Sequence, residues 1–241
     1  MQGFKVCLKG VFFSQTLKNR KMKIIETILV VSFTIVLVSC FGFSEKKENT
    51  QFKEKTTFIP QEDTAVVYFA SGCFWCVEAI FESVIGVEEA VSGYAGRKTL
   101  NPTYEKIGTG KTGHSETVAV YYNPEKVRFK TLVDVFFGSH NPTTVNGQYP
   151  DYGSQYRSIA FYKTQNEKKI IEDAIIKLNA EVYKEKIVTE VTLFSKFYKA
   201  EDYHQDFERR NPNQSYVKAV SVPRLNKFKK KFPQLLKNDK H

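Results

Sequence analysis

The chain has 241 residues, 41% hydrophobic and 14% aromatic, enough for a packed core and too many for a disordered or collagenous chain. Four cysteines in this length exclude a disulfide scaffold. The formal charge of +10 is no nucleic-acid signal by itself: residues 1–40 hold six bases against one acid, and the remainder 30 against 25. We therefore expect no nucleic-acid partner.

In chain order, Lys21, Met22 and Lys23 open an apolar run, of which Thr27 to Ser39 is 13 residues without a charge. That is the length of a signal-peptide core and short for a helix crossing a bilayer. The run ends Leu37-Val38-Ser39-Cys40, which resembles the lipobox of bacterial lipoprotein signals. The resemblance implies a start at Met22, lipidation of Cys40, and an extracytoplasmic, lipid-anchored location in a bacterial cell envelope. A plain N-terminal membrane anchor is the alternative. Residues 1–40 are read as leader. Residues 41–63, polar and without hydrophobic period, are read as a tether.

The body begins with Ala65–Ser71, a short apolar run that predicts a strand. Phe74, Val77, Ile80, Phe81 and Val84 recur at helical spacing from Cys73, and Gly86 ends that helix. Val87–Tyr94 predicts a second strand, residues 97–114 a loop, and alternating Glu116–Tyr122 a third strand. A helix follows over 129–137. Residues 140–153 then form a polar and aromatic loop of the kind that builds a site. Tyr156–Tyr162 reads as a strand, Gln165–Leu178 as an amphipathic helix, Thr189–Phe197 as a strand and Ala200–Arg209 as a short helix. Strands and helices alternate without a break, so 64–222 is expected to be one α/β domain, with 223–241 a basic tail wrapping it.

Cys73-Phe74-Trp75-Cys76 falls where a strand turns into a helix. Unpaired backbone N–H groups of a first helical turn favour an anion, so this position is expected to lower the pKa of Cys73. Cys73 is the better nucleophile, and Cys76 lies one turn on. Three readings compete here: a thiol redox or nucleophilic site, half of a zinc site, and buried structural cysteines. No second C-x-x-C exists, and His114, His140, His204 and His241 fit no zinc spacing. Gly108–Gly113 satisfies G-x-G-x-x-G but precedes a strand, which is the wrong context for a dinucleotide.

Several separated motifs resemble the peptide methionine sulfoxide reductase A family over roughly residues 65–233. They are Gly72-Cys73-Phe74-Trp75-Cys76, Ser92-Gly93-Tyr94-Ala95-Gly96, Asn101-Pro102-Thr103-Tyr104, Gly113-His114-Ser115-Glu116, His140-Asn141-Pro142-Thr143, Gln155-Tyr156-Arg157-Ser158 and Glu201-Asp202-Tyr203-His204. The resemblance implies a two-layer α/β (α+β) sandwich with a ferredoxin-like core and a mixed sheet. It implies thiol-dependent reduction of methionine-S-sulfoxide, free or in proteins, with no bound cofactor, no metal and a thioredoxin-like reductant. A monomer is expected.

By the same resemblance Cys73 is the nucleophile that becomes a sulfenic acid, and Glu116 is the acid that protonates the sulfoxide oxygen. Tyr104 and Tyr156 hydrogen-bond that oxygen and Glu116. Phe74 and Trp75 seat the substrate methyl group, Asp151 helps position substrate or water, and Tyr216 lines the pocket. His204 is expected to be structural. Many relatives carry a recycling cysteine where this chain has Val217, and no cysteine follows Cys76. Regeneration is therefore expected through Cys76 or through an external thiol. The rival readings are a thioredoxin-type thiol–disulfide oxidoreductase, which needs the C-x-x-C but not Glu116, and a surface-tethered binding module anchored by Phe74 and Trp75.

Overall fold

The computed structural model describes residues 58–97, 99–184 and 186–238. Cys7, Cys40 and most of the 41–63 tether lie outside them. Strand β1 (Ala65–Ser71) leads through Gly72 and Cys73 into α1 (Phe74–Glu82), and β2 (Val87–Ala95) follows. A short helix α2 (Tyr104–Gly108) precedes β3 (Ser115–Tyr122) and α3 (Phe129–Gly138). A hairpin of β4 (Gly147–Gln148) and β5 (Asp151–Tyr152) comes before β6 (Ser158–Tyr162) and α4 (Gln165–Leu178). The chain continues through β7 (Glu190–Leu193), β8 (Phe197–Lys199), α5 (Phe207–Arg210) and α6 (Val222–Lys231).

One six-stranded sheet has the order β7-β6-β1-β3-β2-β8. Its inner strands β6-β1-β3-β2 pair antiparallel, so the crossovers β1-α1-β2 and β3-α3-β6 each skip one strand. That is the ferredoxin-like arrangement the resemblance implies. The parallel β6–β7 pair makes the sheet mixed.

Alternation along the strands divides two cores. Val67, Phe69, Val118 and Val120 face the helices and pack with Ile80, Phe81 and Phe136 in the main cluster. Ala70, Ala95, Ile159 and Phe161 point to the other face, against Tyr68, Phe194 and Phe197. Leu193 ends one edge strand and Phe197 begins the opposite one. Four residue steps reach at most about 14 Å. Five strand spacings in a flat sheet would span about 24 Å. The sheet must therefore curl until its edges approach each other. Stacking of Tyr68 on Phe194, with centroids 3.8 Å apart, fills the inside of that curl. Gly93 is required there, because a Cβ would stand 2.2 Å from the Phe197 ring and 2.4 Å from the Tyr198 carbonyl.

Four local expectations change. The 97–114 loop contains α2, whose N-cap Thr103 accepts from Lys106 N–H; five residues are too few to show helical periodicity. The 140–153 loop contains the β4–β5 hairpin. Thr189–Phe197 is two strands on opposite edges rather than one. Ala200–Arg209 is a turn at Asp202–His204 followed by α5, with Asp206 in the left-handed region between them.

Candidate active site

β1 and β3 run antiparallel with Phe69 opposite Val118, which brings Ser71 and the start of β3 to the same end of the sheet. Residues 116, 118 and 120 share a face, so Glu116 points into the helix-covered core in phase with Val118 and Val120. There it meets the N-terminus of α1. Gly72 makes the turn at φ +89°, and a Cβ on it would lie 2.7 Å from Gln148 Cβ. Cys73 occupies the N-cap, and the Phe74 N–H donates to Glu116 Oε2 at 2.9 Å.

That bond corrects one expectation. The first helical N–H beside Cys73 serves the Glu116 carboxyl, not the thiol. Burial pushes the Cys73 thiol well up, and its partnership with Cys76 and the nearby Glu116 add to the shift. Cys76 is pulled down to about 6, first by its hydrogen bond with Cys73, against the opposing effect of burial. Arg224, Ser221 and Tyr216 also favour its thiolate. The two thiols are thus shifted in opposite directions, each by its partnership with the other. Both cysteines are unbridged. Burial also raises the Glu116 carboxyl to about 8, over the lowering effect of the Phe74 N–H. Glu116 therefore holds a proton at neutral pH.

The phenols of Tyr104 and Tyr156 stand within electrostatic reach of Glu116 and Cys73. Burial first, and then Glu116 and Cys73 once ionised, raise both, Tyr104 to about 12, so each remains a hydrogen-bond donor near neutrality. Among the described residues no hydrogen bond engages either hydroxyl. Asp151, on β5, accepts a hydrogen bond from Tyr216 OH, which also lies 4.0 Å from Cys76 Sγ. Burial raises the Asp151 carboxyl, while Tyr216 and Arg224 pull it down.

Phe74 is 1% exposed and sits among Tyr94, Tyr104 and His204. Trp75 is half-buried and stacks on Phe207 with centroids 3.7 Å apart. Its indole N–H donates to His204 Nδ1 at 3.1 Å. Cys73, Phe74, Trp75, Cys76, Tyr104, Glu116, Asp151, Tyr156 and Tyr216 thus gather at one end of the sheet. Cys40 lies outside the described residues.

Three contributors escaped the sequence. Glu201 accepts from Tyr94 OH at 2.8 Å and from Tyr104 N–H at 3.0 Å, fixing the start of α2 against β2. Tyr94 is otherwise fully buried, in phase with the core face of β2, and that phase was a readable signal. Arg224, in a tail read as a wrapping segment, reaches the Ser71 carbonyl at 2.9 Å. A separate cavity of about 610 Å³ is lined by Gly96, Arg97, Thr99, Lys111, Gly113 and Ser195, among others, and contains none of the predicted site residues.

Residues 65–236 match the family model "Peptide methionine sulfoxide reductase". Peptide methionine sulfoxide reductase MsrA 1 of Rhodopirellula baltica is 45% identical over 178 residues, 74% of this chain and 91% of that protein. The MsrA of Sulfolobus acidocaldarius is 46% identical over 168 residues, covering 70% and 95%. Among solved structures, methionine sulfoxide reductase A of Corynebacterium diphtheriae superposes with a TM-score of 0.58 at 35% identity, covering 64% of this chain and 78% of that one. Reduced Mxr1 of Saccharomyces cerevisiae gives 0.60 at 29% identity, over 66% and 92%.

Proposed function

The chain belongs to the peptide methionine sulfoxide reductase family, an oxidoreductase family that reduces methionine sulfoxide, and from that premise we propose how its own residues carry the reaction. The Cys73 sulfur attacks the sulfur of methionine-S-sulfoxide, free or in a polypeptide. The oxygen passes to Cys73 as a sulfenic acid and methionine leaves: one thiol plus one sulfoxide gives one sulfenic acid plus one thioether. A sulfoxide oxygen is a poor leaving group until it is protonated. Glu116, holding its proton up to about pH 8, is the acid. When the proton moves, the Phe74 N–H at 2.9 Å stabilises the carboxylate left behind. Tyr104 and Tyr156 donate to the same oxygen as the bond polarises. Phe74 and Trp75 supply apolar surface for the methyl group, and Asp151 with Tyr216 borders the thiols.

The observation that carries this reading is the buried Phe74 N–H to Glu116 contact one residue from Cys73. It sets the buried Glu116 carboxyl beside the buried Cys73, which supports an acid acting next to the nucleophile. Regeneration runs through attack of Cys76 on the Cys73 sulfenic acid, and a thioredoxin-like donor then reduces the resulting disulfide. The described residues support this route, because Cys76 lies one turn along the helix from Cys73 and its thiol is pulled down. The test is one turnover with separated sulfoxide epimers, followed by intact mass and thiol counting. Methionine released from the S epimer, with loss of two thiols and two hydrogens from the protein, supports the scheme. Gain of one oxygen with Cys76 still a thiol sinks the Cys76 route. Turnover of the R epimer alone sinks the stereochemical assignment.

The same proposal places the domain outside the cytoplasm on a lipid at Cys40, supported by the uncharged Thr27–Ser39 run ending in Leu-Val-Ser-Cys. Metabolic labelling with a fatty-acid analogue should mark the chain and fail in Cys40→Ala. Label retained in that variant overturns the lipid assignment.

A further inference from the structure

The basic C-terminal segment turns one cation inward. Arg224 lies in the first turn of α6 and is half-buried. Its Nη2 donates to the Ser71 carbonyl at 2.9 Å and lies 3.4 Å from Ser71 Oγ, while its Nε donates to the Ser139 carbonyl at 3.0 Å. Its Nη1 stands 3.4 Å from where a Cβ on Gly72 would be. One guanidinium thus ties Ser71, at the end of β1, to Ser139, at the end of α3, beside the Gly72 turn ahead of Cys73. Among the described residues Arg157 and Arg209 each pair with a carboxylate at 2.8 Å, and Arg224 does not.

The charge bears instead on Cys76, Asp151 and His140. His140 does not compete with it as a second cation. Its ring lies between the Phe136 carbonyl and Ser158 Oγ, and burial, reinforced by Arg224, pushes it down to about 3. Ser221, three residues before Arg224, donates to Glu208, and Tyr216 OH, which donates to Asp151, approaches the Cys76 sulfur at 4.0 Å. The groups around Cys76 are therefore Cys73 on α1, Tyr216 with Asp151 behind it, Ser221 with Glu208 behind it, Arg224 on the C-terminal segment, and Glu116 on β3. A cation near a sulfur favours its thiolate.

We propose that Arg224 is a positioning residue for regeneration: its bonds to the Ser71 and Ser139 carbonyls fix the turn ahead of Cys73 against α6, and its charge, paired with no carboxylate among the described residues, assists the attack of Cys76 on Cys73. The inference rests on the Cys76 route above. In that step the Cys76 thiolate attacks the sulfenic sulfur of Cys73, an S–S bond forms and the S–OH bond breaks. Hydroxide leaves with the bonding pair and takes a proton to become water. The sum is one sulfenic acid plus one thiol giving one disulfide plus water.

The test uses the full chain and one equivalent of free methionine sulfoxide, acid-quenched over time from pH 6 to 9. Disulfide formation is followed by mass and normalised to methionine released, which counts folded sites. Arg224→Met should form the disulfide about tenfold more slowly at pH 7, with the pH midpoint about one unit higher, since one unit is a tenfold change in thiolate fraction. Arg224→Lys should restore most of the rate. Arg224→Gln keeps a donor for Ser71 without the charge, should show the same upward shift, and serves if the Met variant releases no methionine. Equal rates and midpoints in all forms, or slowing uniform across pH, overturn the role while leaving the Cys76 route standing. Absence of a disulfide in the wild type overturns both.

Discussion

The cavity beside Arg97 and the end of the sheet at Cys73 lie on one domain and are built on opposite terms. The cavity offers about 610 Å³, lined by backbone, small polar groups and the cations Arg97 and Lys111. The thiol site has its reacting groups almost wholly enclosed: Cys73 is 6% exposed and Glu116 3%. Arg97 and Lys111 are exposed at the cavity, so solvent and salt screen their charges. At Cys73, enclosure raises the Glu116 carboxyl to about 8 and pushes the Cys73 thiol up. Proton transfer at neutral pH needs groups poised near that pH, and burial rather than volume supplies them.

The largest test of that contrast is Cys73→Ser, which removes the proposed nucleophile. Sulfoxide reduction should fall by about 10⁴-fold or more, to background. A residual rate within tenfold of wild type would place the chemistry elsewhere. Next is Glu116→Gln, which keeps an acceptor for the Phe74 N–H and removes the proton. A loss of about 10²–10⁴-fold in kcat is expected. Wild-type activity should fall as pH rises through about 8, and the variant should lack that limb.

Stability gives Glu116 an independent reading. Its folded pKa lies above the unfolded value, so the native state holds a proton that the unfolded chain has lost between about pH 4.5 and about 8. The stabilisation is complete below that window and lost above it. Urea midpoints of the wild type should therefore decline with pH relative to Glu116→Gln. Parallel curves would mean an ordinary, ionised Glu116. Smaller again is Tyr156→Phe or Tyr104→Phe, each expected to cost about 10- to 10³-fold in kcat with little change in KM. An effect on KM alone would make the phenol a binding group.

The two regions were not equally legible in the sequence. The strand-to-helix junction at Cys73 could be read from local pattern, because an apolar run, a glycine and helical spacing are adjacent in the chain. Glu116 was readable too, through its phase with Val118 and Val120, although a lone acid at a strand start reads as solvated without that comparison. Neither Arg224 nor Glu201 could be read locally. Arg224 sits among the lysines of α6, and only the docking of that helix against β1 distinguishes it. Glu201 matters because β2 and α2 converge on it. The division of Thr189–Phe197 between two sheet edges depends on the curl, a property of all six strands together.

The smallest expected effect tests the cavity directly. Arg97→Ala with Lys111→Ala strips both cations from the lining while leaving Cys73, Glu116 and the phenols untouched. Surface substitutions of this kind shift stability by about 0.5 kcal/mol or less. Reduction of free methionine sulfoxide should stay within about twofold of wild type, because no group there exchanges a proton with the substrate. Any electrostatic reach from these side chains to Glu116 would be screened over a distance of about 8–10 Å at ordinary ionic strength. The pH limb near 8 should therefore not move. A tenfold fall in kcat/KM for the free amino acid would bring the cavity into the reaction. A displaced limb at low salt that returns at high salt would instead show that the cations act on Glu116 through the field alone.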